Sequence, residues 1–396
     1  MLIEAAGTVS LAAWLYLLLG RGGYWRMQVG PASWPVNREP VSGGAGFSRR
    51  RASARQGGAS PSACQTSSVA AVIPARNEAL VVRAAIASLA ALDYSGPFHS
   101  ILVDDASDDG TADAARSAAP PDMLTVLRSA PLPKGWTGKL WAVSQGVEQA
   151  KRLSPEYLLL TDADVVHAPD CLEKLVTRAE QGYDLVSWMV ALRCESLAER
   201  ALIPAFVYFF LLLYPPAWTS NPRMRTAGAA GGCLLIRRQT LERIGGLACI
   251  RGELIDDCAL ARAVKAAGRR VWLGLSTESR SIREYRTFRE LGAMISRTAF
   301  TQLNYSPILL LATLAGLALT FFVPMLAAIR GNPAGMVAWA LMAAMYIPAL
   351  RLYRRSLLWA PLLPLVAAFY AGATIHSAWA SWHGAGGMWK GRVAPR

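Results

Sequence analysis

Hydrophobic residues are concentrated at the two ends of the chain, and the middle alternates short apolar runs with amphipathic segments. Residues 8–20 are almost wholly apolar and extend back to Leu2 with only Glu4 interrupting, about the length of a membrane-spanning helix. Arg21 and Arg26 follow this stretch. Because a cleaved signal peptide carries its charges before the apolar run, the pattern predicts an uncleaved anchor over residues 1–21, with its amino end outside.

Three further apolar stretches lie at the carboxyl end, at 307–329, 334–350 and 357–378. A four-residue turn separates the first two, so they are predicted to form a hairpin within a membrane region at 301–378. The arginines between the second and third fit a cytosolic loop. Three crossings leave the basic tail, 379–396, outside, against the same charge rule, so either one stretch does not cross fully or the tail departs from the rule.

The middle of the chain has the pattern of an α/β domain. Apolar runs predict strands at 69–74, 99–103, 123–127 and 157–162, and helical spacing predicts helices at 78–92, from 111, and at 139–150. This alternation predicts a mostly parallel sheet with helices on both faces and ligands at the carboxyl edge of its strands. The acidic strand ends Asp104-Asp105 and Asp162-Ala163-Asp164 are then expected on one edge.

Composition supports a membrane protein with a soluble middle. The chain has 396 residues, of which 53% are hydrophobic, with 41 Lys and Arg against 27 Asp and Glu. Residues 22–68 are rich in Gly, Pro, Ser and Arg without periodicity and are predicted to be a mostly disordered linker. Its cluster of arginines, 49–51 with Arg55, is assigned to anionic lipid headgroups rather than nucleic acid, with a solvated linker as the alternative. The six cysteines show no zinc or C-x-x-C spacing, so neither a disulfide framework nor a structural metal is predicted.

The strand-end carboxylates suggest chemistry on a nucleotide diphosphate. Asp162 and Asp164 offer the oxygen ligands that Mg²⁺ and Mn²⁺ prefer and share with phosphates. Asp104 is interpreted as a binding residue, whereas Asp109, before Gly110-Thr111, is interpreted as a turn and capping residue. Segment 133–139, which includes Lys139, adds cations and backbone amides suited to an anion. Solvated surface charges are the alternative for these lysines.

Five motifs in chain order resemble those of the family 2 glycosyltransferases with a GT-A fold. They are Ile73-Pro74-Ala75-Arg76-Asn77-Glu78, Val103-Asp104-Asp105-Ala106-Ser107-Asp108-Asp109-Gly110-Thr111, Gly138-Lys139, Asp162-Ala163-Asp164, and Asp256-Asp257-Cys258-Ala259-Leu260. The sequence motif Gly-Trp-x-Gly-Lys-Leu-Trp-Ala at 135–142, together with the single anchor and the hydrophobic carboxyl third, most resembles the bacterial hopene-associated glycosyltransferases.

The resemblance implies a role for each matching residue. Nucleotide-sugar binding is implied for Pro74, Arg76, Glu78, Asp104, Asp105, Lys139 and Asp162. Asp164 is the implied direct ligand of the divalent metal, and Asp162 reaches the ribose or the metal through water. Asp257 matches the catalytic base, although Asp256 stands where the family more often has Glu and is kept as the alternative. A purely structural N-cap is the other interpretation of Asp257.

A departure from the family pattern bears on the product. Processive members carry Gln-x-x-Arg-Trp after the base, whereas this chain reads Ser-Arg-Thr-Ala-Phe-Thr-Gln at 296–302 and lacks the Trp. This difference favours transfer of a single sugar. Arg297 is a candidate contact to the diphosphate, with a juxtamembrane charge as the alternative.

Residues 202–218 are strongly apolar, contain three prolines and fall between the metal motif and the base. A crossing here would place the base and the metal on opposite sides of the membrane. We therefore predict an interfacial segment with Tyr208, Tyr214 and Trp218 at headgroup level, and a buried core helix is the alternative. An interfacial segment favours a lipid acceptor presented from the cytosolic leaflet.

These expectations together describe an inverting, metal-dependent glycosyltransferase. The predicted enzyme is a multi-pass protein of the bacterial inner membrane with a cytosolic catalytic domain at 69–300, and it moves one sugar from a nucleotide sugar, a UDP-sugar, to a hopanoid. A polyprenyl phosphate, carotenoid or glycerolipid acceptor is the alternative within the class, and an inactive membrane scaffold is the alternative outside it. The first strand and helix lack G-x-G-x-x-G, which argues against a dehydrogenase, and the apolar stretches lack the mid-membrane charges of a transporter.

Overall fold

The computed structural model describes residues 2–27, 66–384 and 386–387. Its strands are β1 Val69–Ala75, β2 Phe98–Asp104, β3 Leu124–Arg128, β4 Tyr157–Thr161, β5 Val165–His167, β6 Leu185–Ala191, β7 Cys233–Arg237 and β8 Val271–Ser281. Its helices are α1 Leu2–Leu19, α2 Ala79–Ala90, α3 Thr111–Arg116, α4 Gly138–Ala150, α5 Cys171–Glu180, α6 Leu197–Leu213, α7 Pro216–Thr219, α8 Arg238–Arg243, α9 Asp256–Ala266, α10 Phe288–Ala299, α11 Pro307–Leu317, α12 Val323–Ile329, α13 Pro333–Leu352 and α14 Leu363–Trp382. A π-helical turn, Ala318–Phe322, joins α11 to α12.

The eight strands form one mixed sheet in the order β3-β2-β1-β4-β7-β6-β8-β5. Strands β3, β2, β1 and β4 are all parallel, so the acidic ends of β2 and β4 lie at the same edge, as predicted. The buried side chains of α2 and α5 cover one face of the sheet, and those of α4 and α9 cover the other. The fold class predicted from the sequence is confirmed.

Two antiparallel pairings bring later segments of the chain to the same edge. Strand β7 runs against β4 with Cys233 opposite Thr161, which places Gly231 and Gly232 beside the end of β4. Strand β8 runs against β5 with Ser281 opposite Val165, next in sequence to Asp164. Antiparallel pairing therefore adds residues to the edge that the parallel strands form.

Apolar helices form the rest of the molecule. The helices at 307–329, 333–352, 357–382 and 197–219 are long and apolar enough to cross a membrane. Large apolar side chains on the carboxyl-terminal helices point outward, including Ile308 at 77% and Leu358 at 80% exposure, as expected for contact with lipid. Helix α1, with 18 residues, is about 27 Å long. It packs against α12 and α13, and Trp14 donates to the Thr320 carbonyl across 2.7 Å.

Helix α6 is a buried helix between the sheet and the apolar helices, so the expected headgroup-level position of Tyr208 is corrected. Tyr208 has no exposed surface, and its hydroxyl lies 2.9 Å from that of Tyr24. The helix packs against α10, α13 and α14, and its core also contains Met189 and Leu275 from the sheet. Burial against protein accounts for its hydrophobicity, which was the alternative interpretation of this segment.

Two predicted boundaries also change. Tyr24–Arg26 form a 3-10 turn packed on α6, so the first residues of the proposed linker are ordered. The rest of that segment, including the arginines at 49–51 and 55, lies outside the described residues. Helix α14 extends to Trp382, so the tail begins after that residue rather than at 379, and the tail beyond residue 387 also falls outside the description.

Candidate active site

Lys139 is the centre of a charged cluster at the carboxyl edge of the sheet. Its position is set by Thr137, whose side chain caps the start of α4 by accepting from the Leu140 amide. The Lys139 Nζ lies 3.0 Å from Asp162 Oδ1 and 3.4 Å from Asp256 Oδ2. Burial alone would lower the pKa of Lys139, but the surrounding carboxylates raise it overall, so the ammonium stays charged.

Asp257 lies in the first turn of α9, beside Lys139. Its Oδ2 accepts from the Gly231 amide at 2.8 Å and its Oδ1 from the Cys258 amide at 2.7 Å. The N-cap of α9 is Ile255, so Asp257 lies in the first turn of the helix rather than at the N-cap position. A Cβ at position 231 would lie 3.3 Å from both Asp257 Oδ2 and Lys139 Nζ, which explains the glycine at this close approach.

The carboxyl group of Asp257 is tuned by its surroundings. Burial and the neighbouring charge of Asp256 raise the pKa of Asp257 from 3.8 to about 6, while Lys139 and two amide hydrogen bonds oppose the rise. A carboxylate with a pKa near 6 is a better proton acceptor than an ordinary aspartate and is still ionised at neutral pH.

Asp164 is held by residues from the far end of β8. Its Oδ2 accepts from Ser281 Oγ at 2.7 Å and from Arg283 Nε at 3.2 Å, and Arg283 also pairs with Glu78. The charges of Asp164 and Glu78 raise the pKa of Arg283 although its burial acts in the opposite direction. Neither Ser281 nor Arg283 was predicted from the sequence, because no motif surrounds them and only the β5–β8 pairing brings them here.

The loop after β2 is held by Arg76 and Asp109. Arg76 donates to the Asp105 carbonyl, and Asp105 is only 1% exposed, which makes this pair part of the loop's framework. Asp104 is also buried and accepts from the Ser107 amide at 3.2 Å. Asp109 accepts from the amides of Ala79 and Thr111, each at 3.0 Å, in line with its interpretation as a capping residue.

A cavity of about 460 Å³ opens over these groups. Its lining contains seven of the predicted site residues, namely Pro74, Glu78, Lys139, Asp162, Asp164, Asp257 and Arg297. Asp256 contacts the cluster through Lys139. Arg76, Asp104 and Asp105 lie in the neighbouring loop and are not part of this lining. The lining also includes apolar side chains, among them Phe206 and Phe210 from α6 and Met294 from α10.

Comparison with known proteins relates the sheet domain to one family. Residues 70–245, less than half of the chain, match the family model of glycosyl transferase family 2. Within the described residues, the same molecule also holds four helices that are long and apolar enough to cross a membrane.

Individual curated proteins give a more detailed comparison than the family model does. The chain is 30% identical over 188 residues to the undecaprenyl-phosphate 4-deoxy-4-formamido-L-arabinose transferase of Pseudomonas aeruginosa (strain LESB58), covering 46% of this chain and 50% of the relative. It is 33% identical over 134 residues to the transferase of the same name from Yersinia enterocolitica, covering 33% of this chain and 39% of the relative. The chain thus spans about half, or less, of the curated relatives it matches. These relatives are named for undecaprenyl phosphate rather than for hopene.

A solved structure matches the whole architecture. The mannosyltransferase PcManGT from Pyrobaculum calidifontis, in complex with GDP-Man and Mn²⁺, aligns over 95% of this chain and 99% of its own with a TM-score of 0.52. The sequence identity is 20%, so this similarity supports the shared fold, including the apolar helices, and nothing more specific.

Proposed function

We propose that the chain transfers a single sugar, with inversion, from a nucleoside-diphosphate sugar to a polyprenyl phosphate in the membrane. The observation that carries this proposal is the cavity that joins the carboxylate cluster to the apolar side chains of α6 and α10. The carboxylates and cations of the lining suit a charged donor, and its apolar side chains suit a lipid.

The donor is proposed to bind at the strand ends, as a UDP-sugar. Pro74 and Glu78 line the nucleotide side of the cavity, while Lys139 supplies a cation for the phosphates. Arg76 stabilises the loop that follows Asp104 and Asp105. These two residues would face the nucleobase and the ribose of the bound nucleotide.

The carboxylate oxygens of Asp162 and Asp164 are suitable ligands for a hard divalent cation. Asp162 meets Lys139 through Oδ1, and the hydrogen bonds to Asp164 fall on Oδ2, so within the described residues each carboxylate keeps a second oxygen without such a contact. Asp164 and Asp162 would hold Mn²⁺ or Mg²⁺, which neutralises charge on a departing nucleoside diphosphate when bound.

Asp257 is the proposed catalytic base. Two amides fix its carboxylate in the cavity wall, and its pKa of about 6 suits removal of a proton from an acceptor hydroxyl. A phosphate acceptor has a second pKa near 6, so the same carboxylate would accept the remaining proton of the phosphate monoanion as its oxygen attacks. In both cases attack from the Asp257 side, opposite the leaving group, inverts the anomeric centre.

The acceptor class rests on one charge and on the relatives. Arg297 of α10 lines the cavity beside the apolar residues of the same helix, and it forms no ion pair with any residue in the described part of the chain. A guanidinium at this point suits a phosphate on a lipid. The name of the curated relatives, which refers to undecaprenyl phosphate, supports the same acceptor.

A hopanoid acceptor is the second candidate. It is supported by the sequence motif at 135–142, which resembles that of hopene-associated glycosyltransferases. Both candidates place residues 69–300 as the catalytic unit on the cytosolic face of a bacterial inner membrane, with the carboxyl-terminal helices in the bilayer.

Lipid extracts from a strain that lacks the chain and from its parent distinguish these acceptors. Mass spectrometry is expected to show loss of a glycosylated polyprenyl phosphate in the deletion strain, restored by the wild-type chain and not by Asp164→Asn. Selective loss of glycosylated hopanoids would replace the proposed acceptor with the second candidate. Unchanged lipids of both classes would refute the proposed function.

A further inference from the structure

A second cluster of chemically reactive side chains lies in the core, below the carboxylate edge. Ligand atoms of His167, Cys171 and Cys233 all lie within 4.8 Å of one another. The Ser279 hydroxyl lies 2.8 Å from His167 Nδ1 and 3.2 Å from Cys171 Sγ. All four residues are at most 3% exposed, and the proposed sugar transfer uses none of them.

The hydrogen bonds around His167 fix its tautomer. Thr161 Oγ1 lies 2.8 Å from the Gly232 carbonyl and 3.0 Å from His167 Nε2. Because a carbonyl can only accept, the threonine hydroxyl donates to Gly232 and accepts from Nε2–H. A neutral His167 then has its lone pair on Nδ1, which accepts from the Ser279 hydroxyl at 2.8 Å and lies 3.4 Å from Cys171 Sγ. Metal-binding histidines are typically held in this way, with the other ring N–H bonded to an oxygen.

The spacing and the charge also fit a thiophilic metal. At tetrahedral angles, ordinary zinc–sulfur and zinc–nitrogen bonds separate the two ligand atoms by roughly 3.5 Å. The distance from Cys171 Sγ to His167 Nδ1 is 3.4 Å. Two thiolates and a neutral imidazole would cancel the charge of Zn²⁺, which removes the penalty for burying an unpaired ion.

The fold assembles this group from four separate segments. Cys171 begins α5, and Cys233 begins β7 opposite Thr161 of β4. His167 of β5 lies opposite Ser279 of β8. The absence of zinc spacing in the sequence is explained by this assembly, since only His167 and Cys171 are near neighbours in the chain.

We propose that His167, Cys171 and Cys233 bind a structural zinc ion. The Ser279 hydroxyl, now 2.8 Å from His167 Nδ1, would give up that hydrogen bond to the metal and move to the fourth position. The ion would tie β5, α5, β7 and β8 together directly below the turn that carries Asp162 and Asp164. Its role is to stabilise the frame of that turn, and it is separate from the divalent cation of the sugar nucleotide.

Metal analysis of the full-length chain tests the proposal. The protein is produced in zinc-supplemented medium, purified in detergent without chelator, and measured by inductively coupled plasma mass spectrometry. We expect about one zinc ion per chain in the wild type, in Asp164→Asn and in the exposed-cysteine control Cys249→Ser. Cys171→Ser and Cys233→Ser are expected to lower the content roughly tenfold or more. Wild-type protein without zinc, or full occupancy in both cysteine variants, would overturn the proposal.

Cobalt substitution provides a test that needs no change to a proposed ligand. Wild-type protein exchanged with Co²⁺ should show thiolate-to-cobalt charge-transfer absorption, and Cys249→Ser should show the same spectrum. Thr161→Val, which removes the bond to Nε2, should weaken zinc binding about 10- to 100-fold. Absence of the charge-transfer band, or a Cys171–Cys233 disulfide in the purified protein, would show that the cluster does not bind zinc.

Discussion

Lys139 holds together carboxylates that would otherwise repel one another. It contacts Asp162 of the proposed metal pair and Asp256 beside the proposed base, and the charge of Asp257 also acts on it. The same cation limits the rise in the pKa of Asp257 that burial and Asp256 cause. In the proposed mechanism, Lys139 therefore links the binding of the nucleotide sugar to the protonation of Asp257.

The assignment of the base can be tested with two amide variants. Asp257→Asn keeps the shape of the side chain and an oxygen for the Gly231 amide, so donor binding should persist while transfer falls roughly 100- to 10,000-fold. Asp256→Asn should retain transfer within about tenfold. Calorimetric donor binding and single-turnover product formation measure the two effects. Normal transfer by Asp257→Asn together with its loss in Asp256→Asn would assign the base to Asp256.

The pH profile gives an independent check on Asp257. Its pKa is raised, so the carboxylate gains a proton as the pH falls through about 6, and kcat/KM should decline below that value and level off above it. Asp256 contributes to the raised pKa, so Asp256→Asn should move the acid limb to lower pH. An acid limb that does not move in this variant would contradict the proposed coupling.

At the residue scale, the site residues that lie in sequence motifs could be predicted. The residues that reach the site only through the pairing of distant strands could not. Asp162, Asp164 and Lys139 follow predicted strand or helix boundaries, and the structure brings all three into the lining of one cavity. Arg283 and Ser281 bond to Asp164 because β8 runs antiparallel to β5, a pairing that no local pattern specifies. For the same reason the buried cluster around His167 was not predicted.

Helix α6 is joined to the proposed active site through Glu199, the third residue of the helix and part of its capping box. Glu199, which has no exposed surface, accepts from the amides of Ser196 at 2.9 Å and Glu195 at 2.8 Å, and also from Tyr285 at 2.8 Å. Tyr285 lies two residues after Arg283, in the segment that leaves β8. The start of α6 therefore anchors the chain that delivers Arg283 to Asp164.

Removal of this anchor should cost both stability and activity. Glu199→Ala leaves three amides without their acceptor and should lower the free energy of unfolding by roughly 3 kcal/mol. The nearby, more exposed Glu195→Ala should change it by no more than about 0.5 kcal/mol. Thermal unfolding in detergent, read by intrinsic fluorescence, compares the two variants. Equal melting temperatures would show that the cap does not hold α6.

Elements were easier to predict than their surroundings. The strands and helices from 69 to 162 were predicted within a few residues, because each has a continuous apolar run or a helical period. Helix α6 was predicted at the membrane interface, whereas the structure covers it with protein. Apolarity alone cannot separate lipid from a protein core, since both exclude water.

On the scale of the whole molecule, the proposed active site lies where the charged sheet domain meets the apolar helices. The sheet domain supplies charged groups, and the apolar helices carry exposed hydrophobic side chains on their outer surfaces. The cavity over the carboxylates includes residues from α6 and α10, which pack against the membrane-length helix α14. Confining a lipid acceptor at this junction would reduce the entropic cost of bringing its head group to the donor.

Sugar transfer in reconstituted vesicles tests this account most directly. The full-length chain is placed in vesicles containing undecaprenyl phosphate and supplied with Mn²⁺ and sugar nucleotides labelled in the sugar. We expect the label to enter the organic phase with release of one nucleoside diphosphate per sugar, and we expect no transfer by Asp164→Asn. Release of nucleoside diphosphate without labelled lipid, or equal transfer to a water-soluble acceptor, would contradict the account.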